Sequence, residues 1–507
     1  MRSNTLPKVT TVLALLLAFS HTGLAQRPEI ARIDSFMTAL ATHGLFHGGI
    51  LITEQGRIIY ERSAGYANRH RQIPHTDTTR FNLASLSKPF TALAVLQLVQ
   101  QRKLKLEDAF VSYFPDFPYP TVTVRHLLTH TSGLPILERQ EDDYIQAHPD
   151  ERISNRQAYQ HLVERKSPLL VPVGDNWRYN NMNYVLLAML VEKVSRQSFA
   201  AYLKQHVFKP AAMQATYVRE ATMPNTVRYV RPTFYTTRYQ NVDSVDHRQH
   251  FTYYNLGDLT GPNNVVSTLR DLARFEQAFF SGKLLSLNLV NAALTPVALN
   301  NGKPFRMGSS TRSYGMGWNV YESKNEPVNH YVYHDGRIVG LTTFLHHNLT
   351  RQQTIVFYDN ADGNPVQVMV SVSNLLNGQA PLKVQMKQSL VRVYGEALVA
   401  KGPDYAASRF NELKDDTTRY YMDELEMNRL GLELLQARFA GHNEFALEVL
   451  KLNTLLYPKS GNTYDSYAIA LAQNERREEA IAMYRKSIAL SPGNEDGKKA
   501  LQKLLEN

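Results

Sequence analysis

The sequence predicts an α+β fold, an antiparallel sheet covered by helices, followed by an all-helical C-terminal part. Three observations predict it. Strand-like runs rich in β-branched and aromatic residues stand near both ends of the first 380 residues, at 48–61 and 314–358, with helix-like segments between them. From Pro381 onward helical patterns dominate. Within that part Pro458 and Pro492 lie 34 residues apart, and the stretches at about 426–458 and 459–492 repeat each other.

Taken in order, the first residues read as an export signal. Arg2 and Lys8 are basic, Val12 to Phe19 is apolar, and Gly23-Leu24-Ala25 offers small residues where a signal peptidase reads. This assigns 1–25 to a cleaved signal and predicts a periplasmic or secreted protein. The apolar run is too short for a membrane anchor, and no later stretch reaches the ~18 apolar residues of a span, so no membrane span is expected after cleavage. The 507 residues contain no cysteine, which excludes disulfides, thiol catalysis and a cysteine-linked lipid. The formal net charge is +10, or +8 without Arg2 and Lys8. Basic residues are interspersed with acidic ones, as in Glu475-Arg476-Arg477-Glu478, so a solvated surface is expected and no nucleic-acid partner.

Ile30 to about Phe46 suits an amphipathic helix. Gly48–Thr53 and Gly56–Glu61 read as a hairpin. Next comes Phe81-Asn82-Leu83-Ala84-Ser85-Leu86-Ser87-Lys88-Pro89, whose core is Ser-x-x-Lys. A helix starting near Ser85 puts Ser85 and Lys88 on one face, so the amine reaches the hydroxyl. A serine hydroxyl needs such a neighbour to become a nucleophile. Pro89 fits a first helical turn, and Thr91 to Val99 is apolar on most sides, as a buried central helix requires.

His130, in Leu127-Leu128-Thr129-His130-Thr131-Ser132-Gly133-Leu134, invites assignment as a base, but a structural histidine beside a Ser-Gly turn is the better reading. Tyr179 and Asn181 form a Tyr-x-Asn pair leading into a second apolar helix at 185–194. A phenol titrates near ~10 and needs nearby cations to act as a base at neutral pH; Lys88 can be one. The competing reading is an aromatic cluster of Trp177, Tyr179 and Tyr184. Ser267 or Thr268 caps a helix with Asp271 in its first turn. Strands are expected at 314–320, at 331–344 as two strands about a glycine turn, and at 354–358.

With Ser85-x-x-Lys88, Tyr179-x-Asn181 and His334-x-Gly336 in this order, the chain resembles the penicillin-recognising serine hydrolases: class C β-lactamases, DD-peptidases and related esterases. Arg125 to Leu134, Ser267 to Leu272 and Tyr314 to Trp318 match as well, and the resemblance covers roughly residues 28 to 375. It implies the β-lactamase/transpeptidase-like fold, an antiparallel sheet flanked by helices plus an all-helical subdomain, over residues 26–380. It implies that Ser85 is acylated, that Lys88 and Tyr179 manage its proton, and that Asn181 contacts the substrate amide or ester. The oxyanion hole would use the backbone N–H groups of Ser85 and Arg337.

Two departures stand out. The third motif is His334-Asp335-Gly336 where lactamases and peptidases carry Lys-Thr-Gly. A lysine is a permanent cation suited to a substrate carboxylate. Histidine is mostly neutral above its ordinary ~6.5, able to donate a hydrogen bond but attracting a carboxylate less. Ahead of Ser267, Gly261-Pro262-Asn263-Asn264 replaces a Gly-Gly-rich approach. Other chemistries lack their motifs: there is no Gly-x-Ser-x-Gly elbow, no His-Glu-x-x-His and no phosphate loop. Adjacent His346 and His347 point to opposite faces of a strand, so no metal or other cofactor is expected.

In the C-terminal part, Tyr464, Tyr467, Ala468, Leu471, Ala480, Tyr484 and Pro492 follow the tetratricopeptide pattern; Leu430-Gly431, Leu434, Ala446, Leu450 and Pro458 follow it in the preceding copy. This assigns 426–507 to tetratricopeptide-like repeats with a capping helix. Residues 381–425 form a helical linker or first helix pair. The region either offers a concave surface to a protein or peptide or packs on the catalytic domain. The function expected is an exported serine hydrolase acting on a small ester, amide or peptide. The alternatives are a peptidase, amidase or β-lactamase on cell-wall or D-amino-acid peptides, and a non-catalytic scaffold using the repeat face.

Overall fold

The computed structural model describes residues 27–506 apart from 69–71, 149, 220–255, 324–327, 339, 361–363, 385, 436 and 438–439. The signal at 1–25 lies outside the described residues.

The main sheet has seven strands, all antiparallel to their neighbours. They are β1 (Gly48–Glu54), β2 (Arg57–Ala64), β3 (Ser313–Tyr314), β4 (Asn319–Glu322), β5 (His330–Ile338), β6 (Leu341–Asn348) and β7 (Gln353–Asp359), in the order β2-β1-β7-β6-β5-β4-β3. The N-terminal hairpin therefore pairs with the last strand, Gly48 opposite Asp359 and Ile52 opposite Ile355. Side chains alternate across a strand, so β1 feeds two cores. Ile50 and Ile52 face the rear, where helices α1 (Pro28–Thr42) and α6 (Pro365–Leu376) cover the sheet. Leu51 faces the front core with the helices of the intervening region. The expected strand at 314–320 is two short strands instead, because Gly315 N–H turns back to Trp318 C=O at 2.8 Å and buries Trp318 in the front core. The turn between β5 and β6 is made at Gly340, with φ +75°, while Gly336 lies within β5.

The segment carrying Ser85 begins as a 3₁₀ turn, Ala84–Ser87, and continues directly into α2 (Lys88–Gln100), with Pro89 in the first turn. Every residue of α2 from Lys88 to Leu98 is buried, which makes it the central helix of the front layer. A small three-stranded sheet anchors the entry: Phe81–Asn82 pairs with Val265–Ser267, which pairs with Tyr217–Val218. Other helices used below are α3 (Leu137–Ala147), α4 (Asn181–Ser195) and α5 (Leu269–Phe280). Thr268 is the residue that caps α5, its hydroxyl accepting from the Asp271 N–H at 3.2 Å.

The C-terminal part is helical, as the sequence predicts: Leu390–Lys401, Pro403–Leu413, Glu424–Leu435, His442–Leu456, Gly461–Gln473, Arg477–Leu490 and Glu495–Glu506. The first two helices share a core with the next two through Leu390, Phe410, Leu430 and Val449. Tyr467, Leu471 and Ala480 join Leu450 in the following layer. The chain between these parts is not a free linker. Leu382 N–H bonds Ser371 Oγ at 3.1 Å, and Val384 and Met386 pack on the rear core. A chain ending at Lys387 is therefore expected to unfold as one cooperative unit and to keep its activity on a small ester. Ending it at Gly378 removes both side chains from that core, costing about 1–2 kcal/mol each. Thermal unfolding of the two truncations, with ester turnover, checks this; equal stability would place the edge of the unit before Gly378.

Candidate active site

Ser85 lies where the Ala84–Ser87 turn meets β5. Ala84, just before it, has φ +47°, a left-handed conformation unusual for alanine. It is held there by its N–H donating to Asn82 Oδ1 at 2.8 Å. Such an outlier costs about 1–3 kcal/mol and persists only where its surroundings impose it. Opposite, β5 approaches so closely that a Cβ on Gly336 would stand 1.9 Å from Leu83 O. Thr343 Oγ1 ties the same carbonyl to β6 at 2.9 Å. Gly336 is thus the position that lets β5 lie against the Ala84–Ser87 turn.

Lys88 is fully buried, and its Nζ stands 3.0 Å from Ser85 Oγ and 3.2 Å from Pro262 O. Burial pulls its pKa down from the usual lysine range to about 7; Glu138 and Asp335 nearby oppose the fall. The amine also sits 4.7 Å from the centre of the Tyr179 ring. The Gly261–Asn264 segment, to which the sequence assigns no role, positions this lysine. Gly261 O accepts from Thr91 Oγ1 at 2.7 Å, Pro262 O accepts from Lys88, and Asn82 Nδ2 donates to Asn264 Oδ1 at 3.1 Å.

The Tyr179 phenol is hydrogen-bonded to Ser85, yet burial drives its pKa well above the ordinary tyrosine value, with Asp335, Tyr184 and Glu138 adding to the rise. Desolvation is the largest influence on this phenol, and it opposes use of the group as a base at neutral pH. Tyr179 stays protonated, and the group that titrates near neutrality is Lys88. Tyr179→Phe is expected to lower kcat about 10²-fold while leaving the pH at which activity rises unchanged. A rate within threefold of wild type would make Tyr179 a packing residue.

His130, Trp177, Tyr184 and Tyr314 close around Tyr179, with the His130 and Tyr179 rings 4.5 Å apart. The aromatic cluster is what surrounds the phenol. His130 is held through one ring nitrogen, while its Nε2 is buried without a hydrogen-bond partner. Its Nδ1 accepts from the Asn180 N–H at 3.2 Å and lies 3.0 Å from Asn183 Nδ2. Burial, with Lys88 and His334 beside it, keeps its pKa well below the usual histidine range.

His334 is buried, and burial lowers its pKa to about 4, so it is neutral as expected. Its hydrogen bonding differs from the expectation. Nδ1 lies 2.7 Å from the Asp335 carbonyl, which can only accept, so Nδ1 carries the proton. Nε2 is then the acceptor for Tyr314 OH at 3.2 Å. With Nδ1 on the Asp335 carbonyl and Nε2 on the Tyr314 hydroxyl, His334 has no N–H left for a substrate. Arg337 sends its side chain outward, 58% exposed, 3.5 Å from Asp335, leaving only its backbone near the Ala84–Ser87 turn.

Asn181 begins α4. Its Nδ2 donates to Glu138 Oε1 at 2.6 Å, and its Oδ1 is buried without a hydrogen-bond partner. Glu138 is a residue the sequence reading missed. It stands in the first turn of α3, and nothing in its local pattern marks it; the fold alone brings α3 beside Asn181 and close enough to act on Lys88 and Tyr179. Tyr314 was visible within Tyr314-Gly315-Met316-Gly317-Trp318 but carried no assigned role.

The chain is 33% identical over 340 residues to penicillin-binding protein 4* of Bacillus subtilis, covering 65% of this chain and 71% of that protein. A penicillin-binding protein from Bacillus halodurans superposes with a TM-score of 0.57 at 24% identity, covering 67% of this chain and 98% of that structure. The D-amino acid amidase of Ochrobactrum anthropi, complexed with D-phenylalanine, gives a TM-score of 0.57 at 20% identity, covering 68% and 99%. Residues 31–371 match the family profile described as Beta-lactamase, and the chain belongs to that family.

Proposed function

We propose that the chain is an exported serine hydrolase that cleaves an ester or amide through an acyl-Ser85 intermediate. The observation that carries this is the 3.0 Å contact between Ser85 Oγ and a buried Lys88 amine whose pKa is lowered to about 7. Neutral Lys88 takes the serine proton as Oγ attacks the carbonyl carbon. The backbone N–H groups of Ser85 and Arg337 hold the developing oxyanion. Tyr179, protonated and bonded to Ser85, gives its proton to the departing alcohol or amine and takes in its place the one held by Lys88; water then attacks the acyl carbon, Lys88 accepts its proton, and that proton returns to Ser85 Oγ as the acyl bond breaks. The repeat-like helices would carry a peptide or protein partner. Pre-steady-state kinetics on a p-nitrophenyl ester test the scheme. A burst of nitrophenol equal to the enzyme concentration is expected; turnover without acylation of Ser85 contradicts it.

A narrower reading, an amide bearing a free ammonium beside the scissile bond, is favoured by Glu138. Its carboxylate is bonded to Asn181, the residue assigned to substrate, while neutral His334 offers nothing to a carboxylate. The amidase among the structural neighbours suits the same substrate class. Glu138→Gln is expected to lower kcat/KM at least tenfold for an amino-acid amide, a charge-assisted bond being worth about 1.5–3 kcal/mol, and to leave its N-acetyl counterpart unchanged. Equal losses on both would give Glu138 a structural role only.

A further inference from the structure

A half-open cavity lies behind the sheet. It has a volume of about 680 Å³, within the few hundred to a thousand Å³ typical of small-molecule sites. Its floor is the rear face of β4, β5 and β6, where Tyr321, Tyr331, Tyr333 and His346 present their rings. Tyr321 and Tyr331 stack at 4.8 Å, and Tyr331 and His346 at 4.9 Å. Val366, Met369 and Val370 of α6 form the opposite wall. Asn377, Gly378 and Gln379, just past the end of α6 at Leu376, complete the lining.

Among the described residues, the charged groups lining this space are unbalanced. Arg312, Arg337 and Arg351 face it with one carboxylate, Asp335, which lies 3.5 Å from Arg337. Arg312 stands 5.5 Å from the Tyr333 ring centre and donates to the Tyr333 hydroxyl. Further polar groups are held inside. Tyr321 OH and His346 Nε2 are 2.7 Å apart, Asn377 Nδ2 donates to Tyr331 OH at 3.3 Å, and Asn377 Oδ1 is buried with no hydrogen-bond partner. Flat apolar walls with a guanidinium rim suit a ligand that stacks on aromatics and presents a carboxylate or sulfonate to arginine forks.

We propose that this rear cavity is a binding site for a small organic anion with an aromatic or flat apolar body, distinct from the substrate site. The sheet separates the two. On β5, His334 and Gly336 face the nucleophile side, while Tyr333, Asp335 and Arg337 alternate to the rear. A ligand here rests on the same strand whose backbone closes against Ser85, but it has no path to the serine through that strand. The site stands independently of the reaction assigned to Ser85.

The test uses the full-length protein and 1-anilinonaphthalene-8-sulfonate as the anionic aromatic probe, with Ser85 first blocked by a fluorophosphonate. Saturable binding of one probe per chain is expected. Arg312→Gln together with Arg351→Gln, both exposed positions, should weaken it at least tenfold without changing the melting temperature by more than a few degrees. The neutral analogue N-phenyl-1-naphthylamine should bind more weakly and be indifferent to the two substitutions. Absence of saturable binding, or probe binding that ignores both arginines, overturns the proposal. Binding to unblocked protein that disappears once Ser85 is blocked overturns it too, since the probe would then be in the substrate site.

Discussion

Ser85→Ala abolishes turnover of every substrate the wild-type protein cleaves. The variant loses the only atom that can form the acyl bond in this scheme, whereas Lys88, Tyr179 and the oxyanion donors remain and still bind substrate. Stability should change by no more than ~1 kcal/mol, because the substitution deletes one hydroxyl at a half-buried site with no apolar packing to lose. The two readouts separate the explanations: a folded, inert protein with an unchanged melting temperature assigns chemistry to Ser85, and retained hydrolysis removes it from the mechanism.

Lys88→Met is expected to lower kcat/KM about 10⁴-fold and to erase the acidic limb of the pH profile. The base is the neutral amine, so activity in the wild type rises as pH passes upward through the lysine pKa, lowered by burial to about 7. A lysine at its ordinary value near ~10.4 would place that rise three units higher. Methionine keeps most of the volume in a fully buried position, so the effect on folding is small while the proton acceptor disappears. A wild-type profile flat between pH 5.5 and 8.5, or a methionine variant that keeps the limb, assigns the titration to another group.

Much of this site was legible in the sequence because its parts lie within short segments. Ser85 and Lys88 are three residues apart on one helical turn, and Tyr179 and Asn181 share one loop-to-helix junction. The sheet was legible for the same reason: alternation and glycine turns marked β1, β2 and β5 to β7 locally. What the sequence did not show depends on distant segments meeting. Glu138 reaches Asn181 across 43 residues, and Pro262 O reaches Lys88 across 174. The split of 314–320 followed from Trp318 turning into the core, a tertiary demand that overrode local strand propensity. The proton states were the least legible. Lys88 and Tyr179 carry ordinary side chains, and their shifts come from complete burial, which no local pattern reports. His334 shows the same limit, since its tautomer is set by the Asp335 carbonyl and the Tyr314 hydroxyl.

The most direct test of the central claim is intact-protein and peptide mass spectrometry after incubation with a fluorophosphonate at pH 7.5. The account predicts a single adduct per chain, located on Ser85, that forms slowly in Lys88→Met and not at all in Ser85→Ala. An adduct on a different residue, or an unmodified Ser85 in a folded protein, would contradict it.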